Sequence, residues 1–147
     1  FYNQFHKSGS KILALEKNFK IKIEGKVITG KIDRVDALKE GEIEIIDYKT
    51  GSLPDERKLR KSFQLSIYAL AANQSHTFNK PFSNITLSFI FLNEGKKISF
   101  KKESDEIEET KQKILDTISK IEALEFEPKV GPHCDFCPFR ILCPAWQ

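Results

Sequence analysis

Residues 31–49 read KIDRVDALKEGEIEIIDYK, and the fold turns on how this stretch pairs with itself. Apolar residues alternate with polar ones on both sides of Lys39-Glu40-Gly41, the period of half-buried strands. A strand over about Lys26–Ala37 and another over Glu42–Lys49 are therefore expected, joined by a short loop. Gly41 takes the loop position that needs positive φ. If Leu38 pairs with Glu42, partner numbers sum to 80, and Asp33 lies opposite Asp47. Val35 then faces Ile45 and Ala37 faces Ile43, so the shared face is apolar until it reaches the acids. Alternation also puts Lys49 on the face of Asp47. A one-residue slip would destroy this alignment.

Directly opposed residues have Cβ atoms about 4.5–5.5 Å apart. Two carboxylates that close repel each other unless a cation lies between them. Mg2+ favours carboxylate oxygen and keeps several waters, one of which can act as a nucleophile. A lysine beside that water can orient it and stabilise negative charge developing on phosphorus. Phosphodiester hydrolysis needs this set. The competing reading is a surface salt-bridge ladder of Asp33, Asp36, Asp47 and Lys49.

Working outward, residues 1–17 are expected to include a short helix, and Phe19, Ile21 and Ile23 alternate as a further strand. Leu59, Phe63, Ile67 and Leu70 recur at helical spacing over residues 58–73. Residues 84–92 and 97–102 read as strands. Residues 104–124 read as an amphipathic helix with Ser104 as its cap and a buried stripe from Ile107 to Leu124. The expected fold class is α/β, in the sense of an α+β mixed sheet flanked by helices. One domain is expected, with a core over residues 1–127 and a cysteine-rich segment, residues 128–147, belonging to it. The chain opens without Met and contains none, as expected of a processed or excised piece.

The net charge of +3 is mild, but Arg57-Lys58 with Arg60-Lys61, and Lys96-Lys97 with Lys101-Lys102, form basic runs. Such runs can follow a phosphate backbone, although most are simply solvated. No apolar run is long enough to span a membrane. Cys134, Cys137 and Cys143 follow a Cys-x2-Cys-x5-Cys pattern. An odd, clustered set points to metal ligation in a reducing compartment, the cytoplasm, rather than to disulfides. Zinc is one candidate metal.

Three blocks then resemble the successive motifs of RecB-like nucleases of the PD-(D/E)XK superfamily. They are Gly30-Lys31-Ile32-Asp33-Arg34-Val35-Asp36, Ile45-Ile46-Asp47-Tyr48-Lys49-Thr50-Gly51 and Gln64-Leu65-Ser66-Ile67-Tyr68. The resemblance implies a restriction-endonuclease-like core and a deoxyribonuclease dependent on Mg2+ or Mn2+, with exonuclease favoured over endonuclease action. It makes Asp33, Asp47 and Lys49 catalytic, and Asp33, Asp47 and the Tyr48 carbonyl metal ligands. Gln64, Tyr68 and Arg34 become DNA-binding or supporting residues. Many relatives carry a metal-binding His upstream; His6 is the sole upstream His here, with Glu16 an acidic alternative. The cysteines resemble the C-terminal ligands of a [4Fe–4S] cluster in AddB/UvrD-type helicase–nucleases, whose fourth cysteine lies far upstream. This chain has no upstream cysteine. The implied partners are DNA and helicase domains, in DNA repair or recombination. A non-catalytic DNA-binding or scaffolding domain and a stand-alone CRISPR-adaptation-type nuclease are the alternatives.

Overall fold

The computed structural model describes residues 11–74 and 76–146. Five strands form one mixed sheet in sequence order: β1 (Lys11–Ile23), β2 (Lys26–Ala37), β3 (Ile43–Lys49), β4 (Ile85–Phe91) and β5 (Lys96–Phe100). β3 and β4 run parallel and the other neighbours antiparallel. A parallel pair needs a crossover. Here two helices lie in it, α1 (Glu56–Arg60) and α2 (Phe63–Asn73). A longer helix, α3 (Ser104–Glu122), follows β5.

The β2–β3 register is the one the hairpin arithmetic gives: Val35 pairs with Ile45, Ala37 with Ile43 and Arg34 with Ile46. Leu38 N–H donates to the Glu42 carbonyl at 2.9 Å across the turn. Gly41 has φ 77° as expected, and Glu40 adopts φ 57° beside it. β3 and β4 supply the centre of the core. Ile43, Ile45, Ile46, Ile85, Leu87 and Ile90 are all buried. Apolar residues at adjacent positions fit strands covered on both faces.

Two element boundaries differ from expectation. Residues 11–17 are strand, and the rest of the stretch expected to include a short helix, residues 1–10, lies outside the described residues. Ile12 pairs with Asp36 and Ala14 with Val35, leaving Leu13 as an extra bulge residue. The bulge breaks the period of two, which is why Ile12, Leu13 and Leu15 do not alternate. The helix expected over residues 58–73 is two helices. The Ser62 hydroxyl accepts from Leu65 N–H at 3.4 Å and starts α2 afresh. At the front of α3, Glu103 rather than Ser104 flanks the helix, and its N–H donates to the Glu106 carboxylate at 3.0 Å.

The chain divides into two compact units, one up to Gln112 and one from Lys113 onward. In the second unit the expected apolar stripe fades: Ile114 is buried, but Ile121 and Leu124 are exposed. Beyond α3 this unit holds three short 3-10 turns over Pro132–Phe136, Arg140–Leu142 and Pro144–Trp146. Arg140 stacks on the Trp146 ring at 4.2 Å and reaches Asp135 at 3.3 Å.

Candidate active site

Asp47 and Lys49 stand on the last turns of pleat in β3, where the strand leaves the core. Parallel pairing sets Asp47 beside Phe89 and Lys49 beside Phe91 on β4. Asp47 is 2% exposed, while the Lys49 side chain is 35% exposed. The Lys49 ammonium sits 2.6 Å from Asp47 Oδ2 and 5.4 Å from the centre of the Phe89 ring. Phe89 is an apolar floor that motif spacing does not reveal, because it comes from another strand.

The β2–β3 ladder stops at Arg34 and Ile46, one pair short of the acids. Instead of a backbone pair, the Asp33 carboxylate accepts from Tyr48 N–H at 3.1 Å. This ties the Asp33 side chain to the peptide that joins Asp47 to Tyr48.

The fresh start of α2 at Ser62 places Gln64 in its first turn and Tyr68 one turn further on the same face. Gln64 Nε2 donates to Asp47 Oδ1 at 2.9 Å and to the Tyr68 hydroxyl at 2.8 Å. Its Oε1 accepts from Lys49 Nζ at 2.8 Å. The amide thus bridges the acid and the base, with the oxygen turned to the ammonium. Tyr68 Oη reaches Asp47 Oδ1 at 3.5 Å, and its ring meets Phe19 edge-on at 5.9 Å. Phe19 in turn lies where a side chain on Gly30 would have to go: an added Cβ would come within 2.5 Å of its ring.

Burial pushes the Asp47 carboxyl up; hydrogen bonding and charge from Lys49 oppose this, and the charge of Asp33 adds to it. Burial also pushes the Tyr68 hydroxyl up, with the Gln64 bond opposing and the charges of Asp47 and Asp33 adding. Asp47 Oδ2 is fully buried and makes no well-directed hydrogen bond, despite its close approach to Lys49. A buried anionic oxygen without a donor is costly unless a cation supplies the missing partner.

The structure therefore brings Asp33, Asp47, Lys49, Gln64 and Tyr68 together. Arg34 is elsewhere. It is 5% exposed, faces the other side of the sheet, and forks onto Asp36 at 2.6 and 2.8 Å. The pairing with Asp36, and to a lesser degree contact with the Tyr48 side chain, holds the guanidinium charged. Glu16 falls between the pairs Leu15–Arg34 and Lys17–Ile32, opposite Asp33, where it holds Lys31 at 2.9 Å. His6 lies outside the described residues. Among the described residues no group of three His, Cys, Asp or Glu side chains converges as a metal cage. Cys134 is buried, with Gly131 N–H on its sulfur at 3.4 Å, and Cys137 and Cys143 are partly exposed free thiols. The expected cysteine cluster is therefore not assembled in this structure.

A profile of the PD-(D/E)XK nuclease superfamily matches residues 1–144. The chain belongs to this superfamily. The mixed five-stranded sheet with its helices is consistent with the restriction-endonuclease-like core of PD-(D/E)XK proteins. Two solved structures are similar in fold. SSO0001 superposes with a TM-score of 0.52 at 25% identity, over 90% of this chain and 60% of that one. A Eubacterium rectale protein described as a candidate exonuclease gives a TM-score of 0.50 at 14% identity, over 85% and 50%. The chain thus spans 60% and 50% of the length of these two relatives. No curated protein matches. No helix among the described residues is long and apolar enough to cross a membrane.

The residues fit a divalent cation of the PD-(D/E)XK type. Mg2+ typically takes one or two carboxylates and completes its shell with water and substrate phosphate. Asp33 and Asp47 offer those carboxylates, and Asp47 Oδ2, which is buried and makes no hydrogen bond, relies on the Lys49 ammonium at 2.6 Å for its counter-charge.

Proposed function

We propose that this chain is a deoxyribonuclease module that hydrolyses phosphodiester bonds with Mg2+ or Mn2+, acting within a DNA-processing protein. The observation that supports it best is the convergence of Asp33, Lys49 and Gln64 on the buried Asp47 carboxylate, whose Oδ2 has the Lys49 ion pair but no hydrogen bond. In this reading Asp33, Asp47 and the Tyr48 carbonyl hold the cation. When bound, it places positive charge against the phosphate and makes water more acidic. Lys49 is aimed by Asp47 and Gln64, and its ammonium stabilises charge that develops on the phosphate oxygens. Gln64 holds acid and base at fixed separation, and Phe89 keeps water off one side of the ammonium. Exonuclease action, helicase domains as partners and a role in DNA repair in the cytoplasm are the finer parts of the proposal. They rest on the motif resemblance. Cys134, Cys137 and Cys143 are proposed as ligands of an iron–sulfur cluster on the motif resemblance, and no chemistry at the active site is derived from it.

The test is cleavage of linear duplex and single-stranded DNA with Mg2+ by the protein and by its Asp47→Ala and Lys49→Ala variants. Each variant is expected to lose at least about 10²-fold in rate. Equal rates in wild type and both variants, whether all active or all inert, would overturn the assignment.

A further inference from the structure

The β1–β2 hairpin carries a feature that the catalytic cluster does not use. From Lys17 to Ile32 it holds five lysines and a single acid, Glu24 at the turn. The turn is tight: Ile23 pairs with Lys26 across Glu24 and Gly25, both at positive φ. Phe19, Ile21 and Ile23 face inward and are buried, so alternation sends Lys20 and Lys22 outward, and both are exposed. On β2 the partners of this outer face are Lys31 opposite Asn18, Thr29 opposite Lys20 and Val27 opposite Lys22, all exposed.

The outer face is a row. Same-side neighbours on a strand repeat every ~6.6–6.8 Å, which sets Lys20 against Lys22. Lys31 lies diagonally from Lys20, about 7–8 Å away. The row then runs toward the candidate active site. Lys31 is two residues from Asp33 on the same strand, and its ammonium, held up first by Glu16, also feels the charge of Asp33. One strand of a duplex carries closely spaced phosphates along its backbone, so a row of ammoniums at this repeat can meet more than one of them.

The hairpin differs from the basic run on β5 and beyond it. There Lys97 is bound to Glu44, Lys101 to Glu42 and Lys102 to Glu106. Those charges are already neutralised within the fold. Lys20 and Lys22 have no carboxylate partner among the described residues. Two unpaired ammoniums on a rigid, paired strand, in line with a catalytic acid, form a surface suited to a polyanion.

We infer that the outer face of the β1–β2 hairpin, through Lys20 and Lys22, holds the phosphate backbone of one DNA strand and leads it past the Lys31–Glu16 pair to Asp33. This rests on the nuclease reading above for the identity of the polyanion. The contact is electrostatic and independent of base sequence.

The test measures binding of a labelled DNA by fluorescence anisotropy across a salt series, with Ca2+ replacing Mg2+, and cleavage kinetics separately with Mg2+. The variants are Lys20→Glu/Lys22→Glu and a charge-matched control, Lys39→Glu/Lys111→Glu. The hairpin variant is expected to bind at least about tenfold more weakly, with the slope of log K against log salt reduced by about 2. In cleavage its KM rises and its kcat stays within about threefold of wild type, because neither lysine touches the reacting atoms. Unchanged affinity and slope, or an equal loss in the control, would overturn the inference, as would a wild-type protein that binds no DNA. A protein that binds through the hairpin yet never cuts would leave this inference standing and remove the nuclease reading instead.

Discussion

β3 buries two acids beside lysines, one on each of its faces, and the two are in opposite condition. Glu44 is 7% exposed and satisfied: the Ser88 hydroxyl donates to it, Lys97 pairs with it at 2.6 Å, and Ser88 is itself bonded to Ser99 at 2.7 Å. Asp47, three residues on and on the other face, also has a lysine at 2.6 Å. It keeps one oxygen without a directed donor, however, and faces a second acid. Composition and burial are nearly the same in the two places. A buried acid–lysine pair is therefore not in itself a mark of chemistry. The mark is an acid left incomplete, next to another acid, at the end of a strand where a cation and a substrate can reach it.

The strongest way to break this comparison is to neutralise one acid on each face. Asp33→Asn is expected to lower kcat by at least about 10²-fold while the protein stays folded. Glu44→Gln is expected to leave kcat within about threefold and to lower Tm by roughly 3–6 °C, for a loss of about 1–1.5 kcal/mol. A folded Glu44→Gln protein that no longer cuts DNA would show that the satisfied face is also catalytic.

A second measurement sharpens what incompleteness means. The fold raises the Asp47 carboxyl, so between its unfolded and folded pKa values the native state holds more protons than the unfolded one. Stability on this account falls as pH rises through that window, and the penalty is fully present above the folded value. Metal-free Asp47→Asn is therefore expected to melt higher than wild type at pH 7, with the gain vanishing below about pH 4. Mg2+ is expected to raise the Tm of wild type and not that of the variant. A metal-free variant that melts lower than wild type at pH 7 would mean that the Asp47 charge is already compensated.

The smallest effect is at Tyr68. Its hydroxyl lies 3.5 Å from Asp47 and is held by Gln64. Tyr68→Phe is expected to reduce kcat/KM by about two- to fivefold, measured on the same DNA substrate. A loss as large as that of Asp33→Asn would move Tyr68 from a supporting to a catalytic position.

Much of this site is legible along the chain because it is built from short-range rules. The Lys39–Gly41 turn specifies the register, and the register carries Asp33 to the level of Asp47. A spacing of four puts Gln64 and Tyr68 on one face of a helix. What escaped reading came from longer range or from local irregularity. The Leu13 bulge disguised a strand by breaking its period, and Ser62 cut one apolar helical pattern into two helices. Arg34 and Asp36 stand two apart on one strand face, and the structure closes them into a buried fork.

By itself the sequence determined which acids, lysine and helix pair belong together, since alternation, turn chemistry and helical spacing act over a few residues. Only the tertiary structure decided which of the buried acids is left unsatisfied. That depends on what β4, β5 and α2 bring to each face of β3: Ser88 and Lys97 complete Glu44, whereas Phe89 and Gln64 leave Asp47 Oδ2 with the Lys49 ion pair and no hydrogen bond. Satisfaction of a buried charge is a property of its surroundings, and those surroundings arrive from chain segments as near as 17 residues, at Gln64, and as far as 44, at Ser88.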